Sequence, residues 1–360
     1  MTTIETIRCH QVTAPLHTPF VTALRTATTA ESLLVEVVDS DGASGWGEAP
    51  QVWQVTGESF AGARACVEGP IRAAITGRDS ADLTETLRWL EAAVAANHGA
   101  KAAVDVALHD LAARRLGLTL HGYLGSAATE VRTDVTVPST QHDAMCDVAA
   151  RRVAEGFDVL KLKVGTGDAI TDVARVESVR RAVGPDPVIR LDANQGWSPR
   201  TAVQVIRGLE DAGCAVELVE QPVHAADLAG MAWVRDRVGT PILADESVYG
   251  VRDLVEVIGR GAADLVNVKL AKCGGLGTAR TLLELARAHG LGTVVGSMME
   301  THVGVGAAAA LVAAYPTSAV ADLDAAWWLA RPVTEGGIRY DGPVVRLPSE
   351  PGLGVTGLTA

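Results

Sequence analysis

One pattern repeats through the second half of the chain and restricts its fold more than any other feature. Short apolar runs recur from about residue 130: VRTDVTV, VLKLKV, PVIRLDAN, AVELVEQP, PILADES, DLVNVKL, GTVVGSMME and SAVADLDA. A polar residue near the end of each later run can be marked as Lys163, Asp192, Glu220, Asp245, Lys269, Ser297 and Asp322, at intervals of 29, 28, 25, 24, 28 and 25 residues. Amphipathic stretches such as TDVARVESVRRAVG and TARTLLELARAHG fill the gaps. A strand, a helix and two short loops take about that length, and eight such units close a parallel barrel. An open doubly wound sheet has the same alternation. Its G-x-G-x-x-G turn follows none of these strands, however, Gly165-Thr166-Gly167 and Cys273-Gly274-Gly275 being partial matches. The expected fold is therefore a (β/α) barrel.

The first part of the chain has another character. Residues 3–15 and 32–39 (SLLVEVVD) are rich in β-branched residues, and DGASGWGEAP reads as hairpin and turn glycines. Residues 58–117 turn to alanine- and leucine-rich helical segments ending in KAAVDVALHDLAARRLG. Strands followed by helices predict a small α+β domain, and 360 residues suit a barrel with such a module attached. The longest apolar run, residues 303–314, has 12 residues including Gly304 and Gly306. A spanning helix needs about 18–20, so a buried helix is expected there.

Charge and cysteine content narrow the function classes. A net charge of −12 argues against nucleic acid or an anionic membrane as partner. The five cysteines are scattered without a C-x-x-C pair, which argues against a disulfide framework or structural zinc and favours a reducing cytoplasm. The start, MTTIETIRCH, lacks the apolar stretch of a secretory signal. Neither H-E-x-x-H nor G-x-S-x-G occurs, and His109 and His302 read as packing or surface residues.

The chemistry lies at the strand ends. Buried parallel strands should be almost wholly apolar, yet these end in acids and lysines, and the C-terminal end is the active-site face of such barrels. Asp192, Glu220 and Asp245 close three consecutive strands. One acid would be explained as the cap of the next helix; three in succession point to converging carboxylates that need a cation between them. All-oxygen ligation suits a hard ion, Mg²⁺ first and Mn²⁺ second. Lys161 and Lys163 share one face of the second strand, and Lys269 ends the sixth, so that Lys163 and Lys269 face each other across the acids. Burial and a like-charged neighbour lower a lysine pKa and free the amine as a base. Such a set suits removal and return of a proton next to a carboxylate, where developing negative charge must be offset.

KLKVG, RLDANQGW, ELVEQPV, ADES, VNVKLAKCGG and VGSMMETHVG resemble the muconate-cycloisomerase branch of the enolase superfamily, and within it the dipeptide epimerases that act on Ala-Glu. The resemblance spans essentially the whole chain, from TPFVTALRTATTAES to PGLGV. It implies a (β/α)7β modified TIM barrel over residues 126–330, with an α+β capping domain of residues 1–125 completed by residues 331–360. It also implies Asp192, Glu220 and Asp245 as Mg²⁺ ligands, Lys163 and Lys269 as the two acid/base residues, and Lys161 as a ligand of the substrate carboxylate that tunes Lys163. No organic cofactor is expected, and a homo-oligomer is.

Specificity is read from fewer residues. Asp322 and Asp324 match the D-x-D that holds a dipeptide's α-ammonium in this family, and two same-face carboxylates suit a cation. Arg25, in TALRT, matches an arginine that contacts the glutamate carboxylate. Trp53, Val55 and Thr56 would form the neighbouring cap loop, with Thr136 and Ser297 at the barrel mouth. The expected reaction is a 1,1-proton transfer at the α-carbon of the C-terminal residue of L-Ala-D/L-Glu. Rival readings are an N-succinylamino acid racemase, an o-succinylbenzoate synthase or a cycloisomerase on the same core, and, in another class, a barrel that binds a metal and a small acid without turnover.

Overall fold

A computed structural model describes residues 2–21, 26–138 and 142–359. The N-terminal part opens with a three-stranded antiparallel sheet: β1 (Ile4–Val21), β2 (Thr26–Asp39) and β3 (Ser44–Pro50). Both long strands reach further than the apolar runs that announce them, because β1 and β2 stay paired out to Val21 and Thr26. The helix α1 (His98–Arg115) packs across this sheet, and Ile7, Leu33, Val35 and Val37 meet Ala103, Val104, Ala107 and Leu111 in one core. Two glycines read as turn residues prove to lie inside β3. A Cβ on Gly47 would stand 1.9 Å from the Ala103 carbonyl oxygen, and one on Gly45 2.1 Å from that of Ala107. They are glycines because α1 lies almost on the strand backbone; only Gly42, with φ +81°, serves the turn.

After a short strand β4 (Glu130–Arg132), seven parallel strands follow: β5 (Val135–Val137), β6 (Val159–Lys163), β7 (Val188–Asp192), β8 (Val216–Glu220), β9 (Ile242–Ala244), β10 (Leu265–Lys269) and β11 (Gly292–Gly296). They hydrogen-bond in chain order from β5 to β11. Outward residues such as Leu160, Leu162, Leu191, Val219, Val266 and Val295 join the main core, which the surrounding helices complete. The eighth run, SAVADLDA, is not a regular strand. Ala321 bridges Thr133 on one side and Asp322 bridges Gly296 on the other, so two residues span the gap between β5 and β11. The apolar run at 303–314 is the buried helix α2 (His302–Ala314), as its length requires. No helix among the described residues is long and apolar enough to cross a membrane. Cys9, Cys66, Cys214 and Cys273 are free.

The chain ends in four short strands, β12 (Thr334–Gly336), β13 (Arg339–Asp341), β14 (Val344–Arg346) and β15 (Val355–Leu358). β14 pairs with β4, while the start of β15 and the residues leading into it are tied to α1: Leu353 N donates to Asp110 Oδ1 at 2.6 Å and Arg114 Nη2 to the Val355 carbonyl at 2.5 Å. A second tie joins β3 to α2. Buried Glu48 accepts from Thr301 N at 2.8 Å through Oε1, and from Thr301 Oγ1 at 2.6 Å and Gly304 N at 2.8 Å through Oε2. Thr301 is the N-cap of α2, so a carboxylate of the first part of the chain satisfies N–H groups that a helix start leaves open.

Candidate active site

Alternation along the strands sorts the barrel interior into levels. Near the N-terminal ends Leu218, Leu243 and Val294 form a small apolar cluster with Leu265 against it. Two residues further along the same faces stand Glu220, Asp245 and Asn267. Lys161 and Lys163 of β6, Asp192 of β7 and Lys269 of β10 complete the upper level, every one of them buried.

The acids and lysines interleave. Lys163 Nζ donates to Asp192 Oδ2 at 2.5 Å and Lys269 Nζ to Asp245 Oδ2 at 2.8 Å. Lys161 donates to Asp322 Oδ2 and lies 3.6 Å from Glu220 Oε2, whose other oxygen takes a 2.7 Å bond from Asn267 Nδ2. One cavity is lined by Lys161, Lys163, Lys269, Asp245, Asp322 and Asp324, with Thr136 and Ser297 also on its wall. β6 and β10 flank the acid-bearing strands β7, β8 and β9 in the sheet, so the two lysine ends approach from either side.

Burial does act against charge on Lys161 and Lys269, but the carboxylates of Asp322 and Glu220 beside one, and of Asp245 and Glu220 beside the other, outweigh it and raise both pKa values. Likewise, among the described residues no three acids or imidazoles stand close enough together to enclose an ion, because ammonium groups lie between the carboxylates.

The donor chemistry nevertheless fits a hard divalent cation. Burial, with the charges of Asp192 and Asp245, pushes Glu220 up to about 7, and burial with Asp245 and Asp192 pushes the adjacent Glu246 up to about 8. Among the described residues, Asn194 Oδ1 and Glu246 Oε2 are buried without a hydrogen-bond partner. Excess negative charge, orphaned oxygens and, among the described lining residues, no thiolate or imidazole suit a hard divalent cation such as Mg²⁺.

Loop backbone sets the spacing of the acids. Asn194, Gln195 and Gln221 have φ of +40°, +70° and +35°, uncommon for residues with a side chain. The turn after β7 lets Asn194 N donate to Asp192 Oδ1 at 2.9 Å. The one after β8 lets buried Gln221 reach β9, where its Oε1 accepts from Asp245 N at 2.9 Å and Ser247 N at 3.1 Å. Buried Lys272 donates to Asp245 Oδ1 at 2.5 Å and, with Lys269, holds that acid below the usual carboxylate range against the cost of its burial. Sequence reasoning missed Asn194, Glu246, Asn267 and Lys272; the polar residues flanking the marked acids and lysine (DAN, ADES, NVKLAK) were the signal available.

At the specificity end, burial alone would raise Asp322, but Lys161 and Lys269 bring it below the usual value. Asp324 is raised by burial and by Asp322. Thr136 contributes its N–H, which donates to Asp324 Oδ2 at 2.7 Å, and Ser297 Oγ donates to the Asp322 carbonyl at 3.3 Å. Of the cap-loop residues Val55 lines the cavity, while Trp53 is 58% exposed and Thr56 Oγ1 turns back to the Val52 carbonyl at 3.2 Å. Phe20, Val52, Met298 and Met299 form an apolar wall that the sequence did not announce. Arg25 lies outside the described residues. His109 and His302 are buried away from the cavity lining.

Comparison with known proteins agrees with this arrangement. Residues 3–125 match the mandelate racemase / muconate lactonizing enzyme N-terminal domain, and residues 144–358 the enolase C-terminal domain-like family. The L-Ala-D/L-Glu epimerase of Bacillus subtilis (strain 168) is 43% identical over 98% of this chain and 96% of that protein. The substrate-liganded complex of the Bacillus subtilis L-Ala-D/L-Glu epimerase superposes with a TM-score of 0.97 at 42% identity, covering 99% of this chain and 100% of the other. The dipeptide epimerase of Enterococcus faecalis V583, complexed with Mg and L-Leu-L-Tyr, gives 0.94 at 36% identity over 98% and 99%. The chain belongs to the mandelate racemase / muconate lactonizing enzyme family of the enolase superfamily.

Proposed function

We propose that this chain is a Mg²⁺-dependent dipeptide epimerase acting on L-Ala-D/L-Glu. The observation that carries the reading is the meeting of Lys163, Lys269, Asp322 and Asp324 in one buried cavity; a 43% identical relative with that activity supports it. Asp192, Glu220 and Asp245 are the proposed metal ligands. When bound, the cation would be held by these three carboxylates and would supply positive charge to offset the negative charge that develops on the substrate carboxylate.

The chain's own residues then divide the work. One of Lys163 and Lys269, as the neutral amine, takes the α-hydrogen of the C-terminal residue as a proton, and the electron pair moves into the adjoining carboxylate. The ammonium of the other returns a proton to the opposite face of that carbon. Lys161 supplies a fixed positive charge for the substrate carboxylate. Asp322 and Asp324 hold the α-ammonium, and Arg25 is the proposed contact for the glutamate side chain. We also assign residues 1–125 with 331–360 to the cap and 126–330 to the barrel; the bonds from Leu353 and Val355 to α1 support the return of the chain end.

The test is α-hydrogen exchange in D₂O with Mg²⁺, on L-Ala-L-Glu and on an N-succinyl amino acid. Exchange and epimerisation of the free-amine dipeptide are expected; exchange only with the succinyl compound overturns the reading in favour of a racemase. One observation favours a second specificity, for an apolar C-terminal residue: the wall of Phe20, Val52, Met298 and Met299. A dipeptide panel in the same assay decides between an acidic and an apolar residue.

A further inference from the structure

Trp328 stands behind the cavity and does not line it. It ends the single 3-10 turn Ala325–Trp328 that follows Asp324, and it is fully buried. Its indole N–H donates to Asp324 Oδ2 at 2.9 Å, the oxygen that also receives the Thr136 N–H at 2.7 Å. An indole has one N–H and nothing else to donate, and here that donor is spent on a carboxylate. Oδ2 thus accepts two hydrogen bonds, on a side chain that lines the cavity.

Two cap residues also pack on the indole, beside Arg152 and Trp327 of the barrel. The Phe20 ring meets it edge-on at 5.4 Å, and the His17 ring stacks on it at 5.2 Å with 19° between planes. The Arg152 guanidinium lies 5.2 Å from the ring centre. Backbone contacts fasten the same two segments: Leu16 bridges Leu329, and Ala330 N donates to the Pro15 carbonyl at 2.8 Å. Phe20 itself lines the cavity.

We propose that Trp328 is a positioning residue for ammonium recognition. Its N–H fixes the rotamer of Asp324, and its ring makes that rotamer depend on the seating of cap residues 16–20. The substrate's N-terminus and the cap wall are thereby read together through one side chain. A packing role needs only the ring; the aimed N–H is what the positioning role adds. The inference rests on the reading above, in which Asp324 holds the dipeptide's ammonium group.

The experiment compares the Mg²⁺-loaded wild type with Trp328→Phe and Asp324→Asn, following α-hydrogen exchange on L-Ala-L-Glu and on N-propionyl-L-Glu, which keeps the shape and lacks the ammonium. Loss of a hydrogen bond to a charged group is expected to raise KM of Trp328→Phe for L-Ala-L-Glu about tenfold. The kcat should stay within about twofold, and whatever turnover or inhibition N-propionyl-L-Glu shows should not change. Equal losses on both compounds, or a loss in kcat alone, overturn the positioning role. If Asp324→Asn raises KM and Trp328→Phe does not, the role of Trp328 falls and the substrate reading stands. If Asp324→Asn leaves KM unchanged, the substrate reading falls and the Trp328 role with it. Should Trp328→Phe fail to fold, His17→Ala, which removes an exposed ring and leaves the indole in place, is expected to raise the same KM about twofold with kcat unchanged; an unchanged KM overturns the coupling to the cap.

Discussion

The same strands serve two purposes at their two ends. At the floor of the barrel Leu218, Leu243 and Val294 pack against each other, and two residues higher the inward positions carry Glu220 and Asp245, with Lys269 close to both. The floor contributes stability by removing apolar area from water. The mouth concentrates like charges that burial makes unfavourable, which is why Glu220 and Glu246 are pushed up to about 7 and about 8. One end of each strand holds the fold together, and the other holds charges poised for a ligand.

The sharpest way to separate the two ends is to empty the mouth. Lys163→Ala or Lys269→Ala should each abolish epimerisation, about 10²–10⁴-fold or more in rate, with one-sided α-exchange surviving in one of them. Progress curves in D₂O followed by NMR read this directly; full epimerisation by both variants refutes the two-base mechanism. At the floor the reverse is expected. Leu243→Ala should cost about 2–5 kcal/mol of stability, seen in denaturant unfolding, while the folded fraction keeps its kcat. Chelation followed by Mg²⁺ at a hundredfold excess over Kd should next add about 2.7 kcal/mol, lost in Asp192→Asn but retained in Leu243→Ala.

The smallest effect belongs to the layer between cap and mouth. Glu300 is pushed up to about 8 by burial and by Glu48, and it accepts from Met298 N at 2.8 Å. An acid whose folded pKa lies above its unfolded value, here 4.5, binds its proton more tightly when folded. Stability therefore falls as pH rises from about 4.5 to about 8. Glu300→Gln should flatten that slope and raise Tm by a few degrees at pH 8, with Mg²⁺ present throughout; an unchanged slope refutes the assignment.

Local patterns carried most of the fold. Each strand–helix unit announces itself by its own apolar period and its polar end, which is why seven parallel strands appear where the spacing puts them. The eighth run looks the same in sequence and becomes two bridging residues, because Asp322 and Asp324 turn into the cavity at that point. The site residues were legible as types and positions, since Lys163, Asp192, Glu220 and Lys269 all end strands. Their pairing was not. Whether a lysine meets a lysine or a carboxylate depends on neighbours about 30 residues or more away, as with Lys163 and Asp192 or Lys161 and Asp322. Gly45 and Gly47 misled for the same reason: the helix that requires them is half a domain away in sequence.

Glu48 gives the two matched stretches of the chain a shared fate. The first turn of α2 is capped by a carboxylate from β3, and that strand is itself pressed against α1. A barrel expressed without its cap would begin α2 without this carboxylate, and a cap without its barrel would leave Glu48 with the Ser32 hydroxyl as its remaining partner among these. The two stretches are thus separable as sequence families and inseparable as folding units, so recombining caps and barrels from different relatives should succeed only where this one carboxylate and its threonine travel together.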